Sequence, residues 1–141
     1  MASGKRAGRK SQQSNDFLEP KAPTGVSATD VGTSRAYNDG AATVTFSLPG
    51  DSPAATSYTV KAYKNGTTLD ATATGTTGSS SPITVGGLDS ATSYTFTVTA
   101  TNASGNSPES TASASVTITT VPQAPQNPSA TSTTANQDII S

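Results

Sequence analysis

Along the middle of the chain, apolar and polar residues alternate. In ATVTFSL, Val44, Phe46 and Leu48 share one parity, and Thr45 and Ser47 take the other. In SYTVKAY, Tyr58, Val60 and Ala62 share a face. SYTFTVTATN puts Tyr94, Phe96, Val98 and Ala100 on one side with Thr between each pair, and SASVTIT does the same with Ala114, Val116 and Ile118. A period of two sends successive side chains to opposite faces of a strand. The interleaved Thr suits a pleated, half-wet surface. No stretch offers a competing helical period.

The runs are punctuated by AYNDG, LPGDSP, KNG, GTTGSSSP, GGLDS and NASGNSPES, each rich in Gly, Pro, Asn, Asp or Ser. Asn65-Gly66 between two such runs signals a hairpin, because both residues tolerate a positive φ. The pattern predicts strands near 24–30, 41–48, 56–63, 67–72, 82–85, 92–101 and 111–119. Seven short strands of this kind imply an all-β, seven-stranded antiparallel sandwich of two sheets.

Composition narrows the chemistry. The 141 residues hold one ordinary domain with spare chain, and no apolar run approaches the length of a membrane-spanning helix. Ser and Thr make up a third of the chain, whereas charged residues make up only 12% and the net charge is -1. Near-neutrality argues against charge-driven disorder. With no Cys and no His, a disulfide framework, a thiolate zinc site and the commonest general base are all excluded.

Charge is unevenly placed. Residues 1–21 carry Lys5, Arg6, Arg9, Lys10 and Lys21 against Asp16 and Glu19, about +3, with Phe17-Leu18 as the only bulky apolar pair. No apolar stretch follows the basic start, so it reads as an extended basic arm rather than a secretory leader. Residues 22–120 hold three basic and six acidic residues, -3. The last segment, 121–141, restarts the pattern: KAPTGVSAT at 21–29 recurs as QAPQNPSAT at 123–131, an offset of 102 residues. That offset is about one sandwich domain, so 121–141 reads as a linker and the start of a second copy.

These motifs resemble the fibronectin type III family, of the Thr/Ser-rich kind common in bacteria and their viruses. Pro23, Val26 and Ala28 fit the opening strand, and ATVTFSLP fits the second, with Phe46 where many members carry Trp. SYTVKAYKNG fits the third strand and its hairpin. In SPITVGGLDSATSYTFTVTATNASGNS, Leu88 and Tyr94 match the family's tyrosine corner, and Asn102, Gly105 and Ser107 match the start of its F–G loop. Residues 31–40 lengthen the A–B connection beyond a tight turn, and the F–G loop holds no Arg-Gly-Asp. The resemblance implies a spacer, adhesion or assembly module and fixes no activity.

Candidate sites are few. The acids Asp30, Asp39, Asp51, Asp70, Asp89 and Glu109 fall mostly in predicted turns, where Asp bonds its own backbone. No spacing pairs two of them for hydrolysis. Asp39 and Asp51 are candidates for flanking a weak calcium site at one end of the sandwich, although the chain has no calcium-loop motif. Asn65 and Asn102 stand in glycosylation-like triplets that turn chemistry explains as well. Tyr63 has the opposite parity to Tyr58 and should face outward; with Tyr37 in the long loop it is a candidate surface contact. Lys5, Arg6, Arg9, Lys10, Phe17 and Leu18 form a candidate assembly anchor.

The expectation is a non-enzymatic protein without a cofactor or metal: a structural or display component of a bacteriophage virion, decorating the head or built into a fibre. The arm would attach to a capsid or tail surface, and the sandwich would meet a host-surface glycan or protein. The alternative is an extracellular spacer or adhesion module of a secreted bacterial enzyme or cell-surface protein. The arm has no interleaved aromatics, which disfavours nucleic acid.

Overall fold

The computed structural model describes residues 18–31 and 33–123. The strands are β1 (Thr24–Asp30), β2 (Gly40–Ser47), β3 (Ser57–Lys64), β4 (Thr68–Leu69), β5 (Thr77–Gly78), β6 (Ile83–Leu88), β7 (Ser93–Asn102), β8 (Gly105–Asn106) and β9 (Val116–Thr117). One sheet runs β1-β2-β6, and the other runs β4-β3-β7-β8 with β5 also on β3 and β9 also on β7. Every pairing between these strands is antiparallel. Because β7 occupies one edge of β3, the short β4 and β5 share the other. Likewise β8 and β9 share the outer edge of β7. Nine segments therefore fill seven strand positions, the expected sandwich.

The alternation read from the sequence becomes the core. Val44, Val60, Val85, Leu88, Tyr94, Phe96, Val98 and Ala100 are essentially inaccessible, and Phe46 and Tyr58 nearly so. The central ladder pairs β3 with β7 from Ser57↔Thr101 to Lys64↔Tyr94 without a break in register. Its inner side is apolar. Its outer side sets Thr59, Lys61 and Tyr63 opposite Thr99, Thr97 and Thr95. Phe46 stands where the resemblance implies a Trp, and the ring of Tyr58 lies beside it, centroids 4.8 Å apart at 52°. Each such side chain contributes about 1.5–3 kcal/mol by leaving water. Gly40 opens β2 where the chain leaves no room for a side chain: a Cβ there would overlap Cγ2 of Ile118. The Asn65-Gly66 hairpin forms as expected, with φ of 52° and 75° and the Thr67 amide donating to the Lys64 carbonyl at 3.1 Å.

Three boundaries and one added strand depart from expectation. The strand expected at 67–72 stops at Leu69, because the chain turns Asp70 inward. The strand expected at 82–85 runs on to Leu88, and Gly87 absorbs a φ of 69° near its end. The short strand Thr77–Gly78 has no apolar residue to announce it. The strand expected at 111–119 survives only as Val116–Thr117.

The reason for the last departure is a serine ladder. The amides of Ser107, Ser110 and Ser113 donate to the carbonyls of Ala100, Val98 and Phe96 at 2.7, 2.9 and 2.9 Å. In return the amides of Ala100, Val98 and Phe96 donate to the Oγ atoms of the same three serines at 2.9, 2.9 and 3.1 Å. Each hydroxyl then donates to the next carbonyl, of Pro108, Thr111 and Ala114. Three residues on this segment thus span two on β7, which breaks the period of two. Ala114 is accordingly exposed, although Ile118 is buried as expected.

Candidate functional site

Three polar constellations are fixed by this framework. The first lies on the outer face of the larger sheet. Glu109 reaches back across it: Lys61 Nζ donates to Oε2 at 2.8 Å, and Tyr63 Oη and Thr97 Oγ1 donate to Oε1 at 3.0 and 2.9 Å. The Lys61 ammonium, helped by the two hydroxyls, holds the Glu109 carboxyl below its ordinary range despite partial burial. Burial and the Glu109 carboxylate push the Tyr63 phenol up. Beside this cluster, Thr59, Lys61, Thr99, Thr101 and Asn106 line a shallow polar recess of about 170 Å³.

The second constellation is internal. Tyr94 Oη donates to Asp70 Oδ2 at 2.7 Å and accepts the Asp89 amide at 3.0 Å. Asp70 Oδ1 accepts the amide and the hydroxyl of Thr72 at 3.0 and 2.6 Å. Lys64 Nζ sits 2.6 Å from Asp89 and 3.9 Å from Asp70. Burial alone would raise the Asp70 carboxyl, but the bonds from Thr72 and Tyr94 outweigh it and hold the group below its ordinary value. Burial pushes the Tyr94 phenol far up, so it remains a proton donor. This is the tyrosine corner extended by a buried carboxylate.

The two ends of the sandwich carry the third set. At the end where β1 begins, Lys21 Nζ meets Asp51 Oδ2 at 2.6 Å, and Asn102 Nδ2 donates to the carbonyls of Leu18 and Ala54 at 2.8 and 3.0 Å. At the opposite end, Asn38 and Ser90 bond reciprocally: the Asn38 amide donates to Ser90 Oγ and the Ser90 amide to Asn38 Oδ1, both at 2.9 Å. Arg35 pairs with Asp39 at 3.0 Å. Here Tyr37, Ser90, Ala91, Ile118, Val121 and Pro122 line an open apolar groove of about 350 Å³.

The candidate residues are therefore dispersed. Lys5, Arg6, Arg9, Lys10 and Phe17, and the restart at 124–141, lie outside the described residues. Leu18 is exposed, with its carbonyl held by Asn102. Tyr37 stands at one end of the sandwich and Tyr63 faces outward on the sheet, its hydroxyl taken by Glu109. Asp39 and Asp51 flank no common site: the whole of β2 separates them, and each has its own cation. Among the described residues no group of three metal-ligating side chains converges. Glu109 and Asp70, grouped with the turn acids by sequence, have further roles across the sheet and in the interior. The Glu109 cluster and the Asn38–Ser90 tie were not apparent from sequence; the unusual length of the 31–40 connection was the one signal pointing to the latter.

The match to known proteins fits this architecture. Residues 21–116 match the Fibronectin type III domain family, and the chain belongs to it. Among solved structures it is similar to "Titin kinase and its flanking domains" at 25% identity, covering 71% of this chain and 17% of that one, with a TM-score of 0.57. It is similar to the Twitchin kinase region from C. elegans at 19% identity, covering 72% and 17%, with a TM-score of 0.55. It also resembles the chicken CNTN1 FN1-FN3 domains at 20% identity, covering 72% and 33%, with a TM-score of 0.56. The chain thus spans a third or less of the length of these structures, which share its fold. No curated protein matches. A module of structural or adhesion type is what this membership supports.

Proposed function

We propose that the protein is a non-enzymatic structural component of a bacteriophage virion, a head-decoration or fibre-like module. Residues 1–21 attach it to an assembled capsid or tail surface, and tandem fibronectin type III sandwiches project from that attachment. The division of charge carries this reading: about +3 on residues 1–21, of which Lys21 is engaged by Asp51, and -3 on residues 22–120. The acids of the sandwich are engaged within it: Asp30 by Thr119, Asp39 by Arg35, Asp51 by Lys21, Asp70 by Tyr94, Asp89 by Lys64 and Glu109 by Lys61. These contacts draw the carboxylates into holding the domain together and not into a shared reactive cleft. A basic arm suits an acidic assembled surface, and the mildly acidic module stands off from it. Charge alone is screened by salt, so Phe17 and Leu18 add an apolar anchor of about 1.5–3 kcal/mol each when buried.

Deleting residues 1–17 tests the reading. The shortened protein is expected to stay folded and soluble but to be missing from purified particles. Normal occupancy of particles by the deleted form would place the anchor on the sandwich and refute the proposed division. Recovery of the full chain from the bacterial surface or medium, with none on particles, would favour the spacer or adhesion module.

A further inference from the structure

The described residues of the long connection between β1 and β2 are tied down by hydrogen bonds. The Val31 amide donates to the Ala41 carbonyl at 3.0 Å, the Asp39 amide to the Ala36 carbonyl at 2.9 Å, and Arg35 clasps both the carbonyl and the carboxylate of Asp39. The departing chain is fastened to the same end: the Thr119 amide donates to Asp30 Oδ2 at 3.1 Å, Thr120 Oγ1 meets Ser90 Oγ, and the Val121 amide donates to the Arg35 carbonyl at 2.9 Å. The result is a hydrogen-bonded rim around an apolar groove, with Tyr37 44% exposed. Of the five large apolar side chains exposed among the described residues, Val31, Tyr37 and Val121 belong to this end. Small domains seldom gather exposed apolar surface in one place without a partner for it.

The 102-residue offset says what the partner is. Extended by one position, it aligns Pro20 with Pro122. In this sandwich Pro20 is buried and Leu18 is tied to Asn102, so residues 18–20 pack on the end where β1 begins. Their counterparts in a following copy are residues 120–122, and Val121 and Pro122 already form part of the groove wall. The same residues would then belong to two sandwiches at once, with no free linker between them. Short connections of this kind force neighbouring ends into contact. The approaching end of a second copy presents the turn between β7 and β8, with the exposed Ala103 and Ser104. Side chains this short suit a groove with a tyrosine wall.

We infer that the groove walled by Tyr37, Ile118, Val121 and Pro122 is a socket for the leading end of the next fibronectin type III repeat, so that consecutive repeats form one stiff rod. The inference rests on reading residues 121–141 as the start of a second copy. The test builds the junction directly: residues 1–122 are continued by residues 21–141, which places a complete second sandwich at the natural offset. Residual dipolar couplings on this double-repeat chain should fit one common alignment tensor for both sandwiches. Tyr37→Ala in the first copy should split that tensor into two, whereas the same substitution in the second copy, whose groove has no successor, should leave it whole. Two independent tensors in the parent would overturn the inference, as would equal effects of the two substitutions. Reversible dimerisation of the 141-residue chain, abolished by Tyr37→Ala, would also overturn it and assign the groove to a second copy in trans. Peptide mapping of the native polypeptide separates the outcomes: the lack of a second segment resembling residues 22–120 defeats the tandem reading alone, and a split tensor defeats the socket alone.

Discussion

The hydroxyl of Tyr94 lies 2.7 Å from the carboxylate of Asp70, and both side chains are shut off from solvent. They are 24 residues apart in sequence and close the end of the core between β4 and β7. A buried carboxylate is tolerable only when its lone pairs are occupied, and here Tyr94 and Thr72 occupy them.

Tyr94→Phe should therefore cost about 1–3 kcal/mol, because it strands both a buried carboxylate oxygen and the Asp89 amide. Urea unfolding measures the loss, and the fold should persist. Acid should act on the same group. The folded-state pKa of Asp70 lies below its unfolded value of about 3.9, so its contribution is complete above that value and is lost as pH falls through the lower folded value. Glu109 adds in the same direction. Stability measured from pH 6 downward should hold until about pH 4 and then decline, with a shallower decline in Asp70→Asn.

Ser110→Ala removes the acceptor of the Val98 amide. The site is buried and admits no substitute from the same edge. A cost of about 1–3 kcal/mol is expected, together with faster hydrogen exchange at the Val98 amide relative to its neighbours. Thr111→Ala, one residue on and exposed, should stay within about 0.5 kcal/mol of the parent. Equal effects of the two would contradict the ladder.

Phe96 is fully buried on β7, its ring 6.1 Å from that of Tyr94. Phe96→Ala should cost about 3–5 kcal/mol, a large part of the reserve of a small domain. An unchanged thermal midpoint would show that the register of β7 differs from the one described.

Calcium should leave the thermal midpoint where it is, since Asp39 and Asp51 are separated by the length of β2 and neutralised by Arg35 and Lys21. A rise of several degrees with calcium, reversed by a chelator, would reveal a site that these pairings conceal.

Much of this architecture is written in the alternation of apolar residues, because in a two-sheet sandwich burial and strand parity are the same fact. Val44, Val60 and Phe96 could be placed from sequence for that reason. The segment from Ser107 to Ser113 could not: its period is three, its apolar content is low, and serine is the ordinary residue of turns. Thr77–Gly78 is a strand only because the edge of β3 is there to receive it. Asp70 stands in a turn-forming context and does bond the Thr72 amide as turn acids do, but its burial depends on Tyr94, which no local pattern announces. The clusters on Glu109 and on Ser90 likewise join segments dozens of residues apart.

The serine ladder has a consequence for crowding. An ordinary outer strand offers a row of free amides and carbonyls that another sheet can extend, a hazard wherever many copies are held close together. Along residues 107–115 that row is interrupted. Pro108 has no amide to offer, the carbonyls of Pro108, Thr111 and Ala114 are taken by the serine hydroxyls, and three residues occupy the length of two, so no straight strand can match their spacing. The edge is irregular and partly taken, and copies packed side by side would find there no even row of groups along which to zip into a shared sheet.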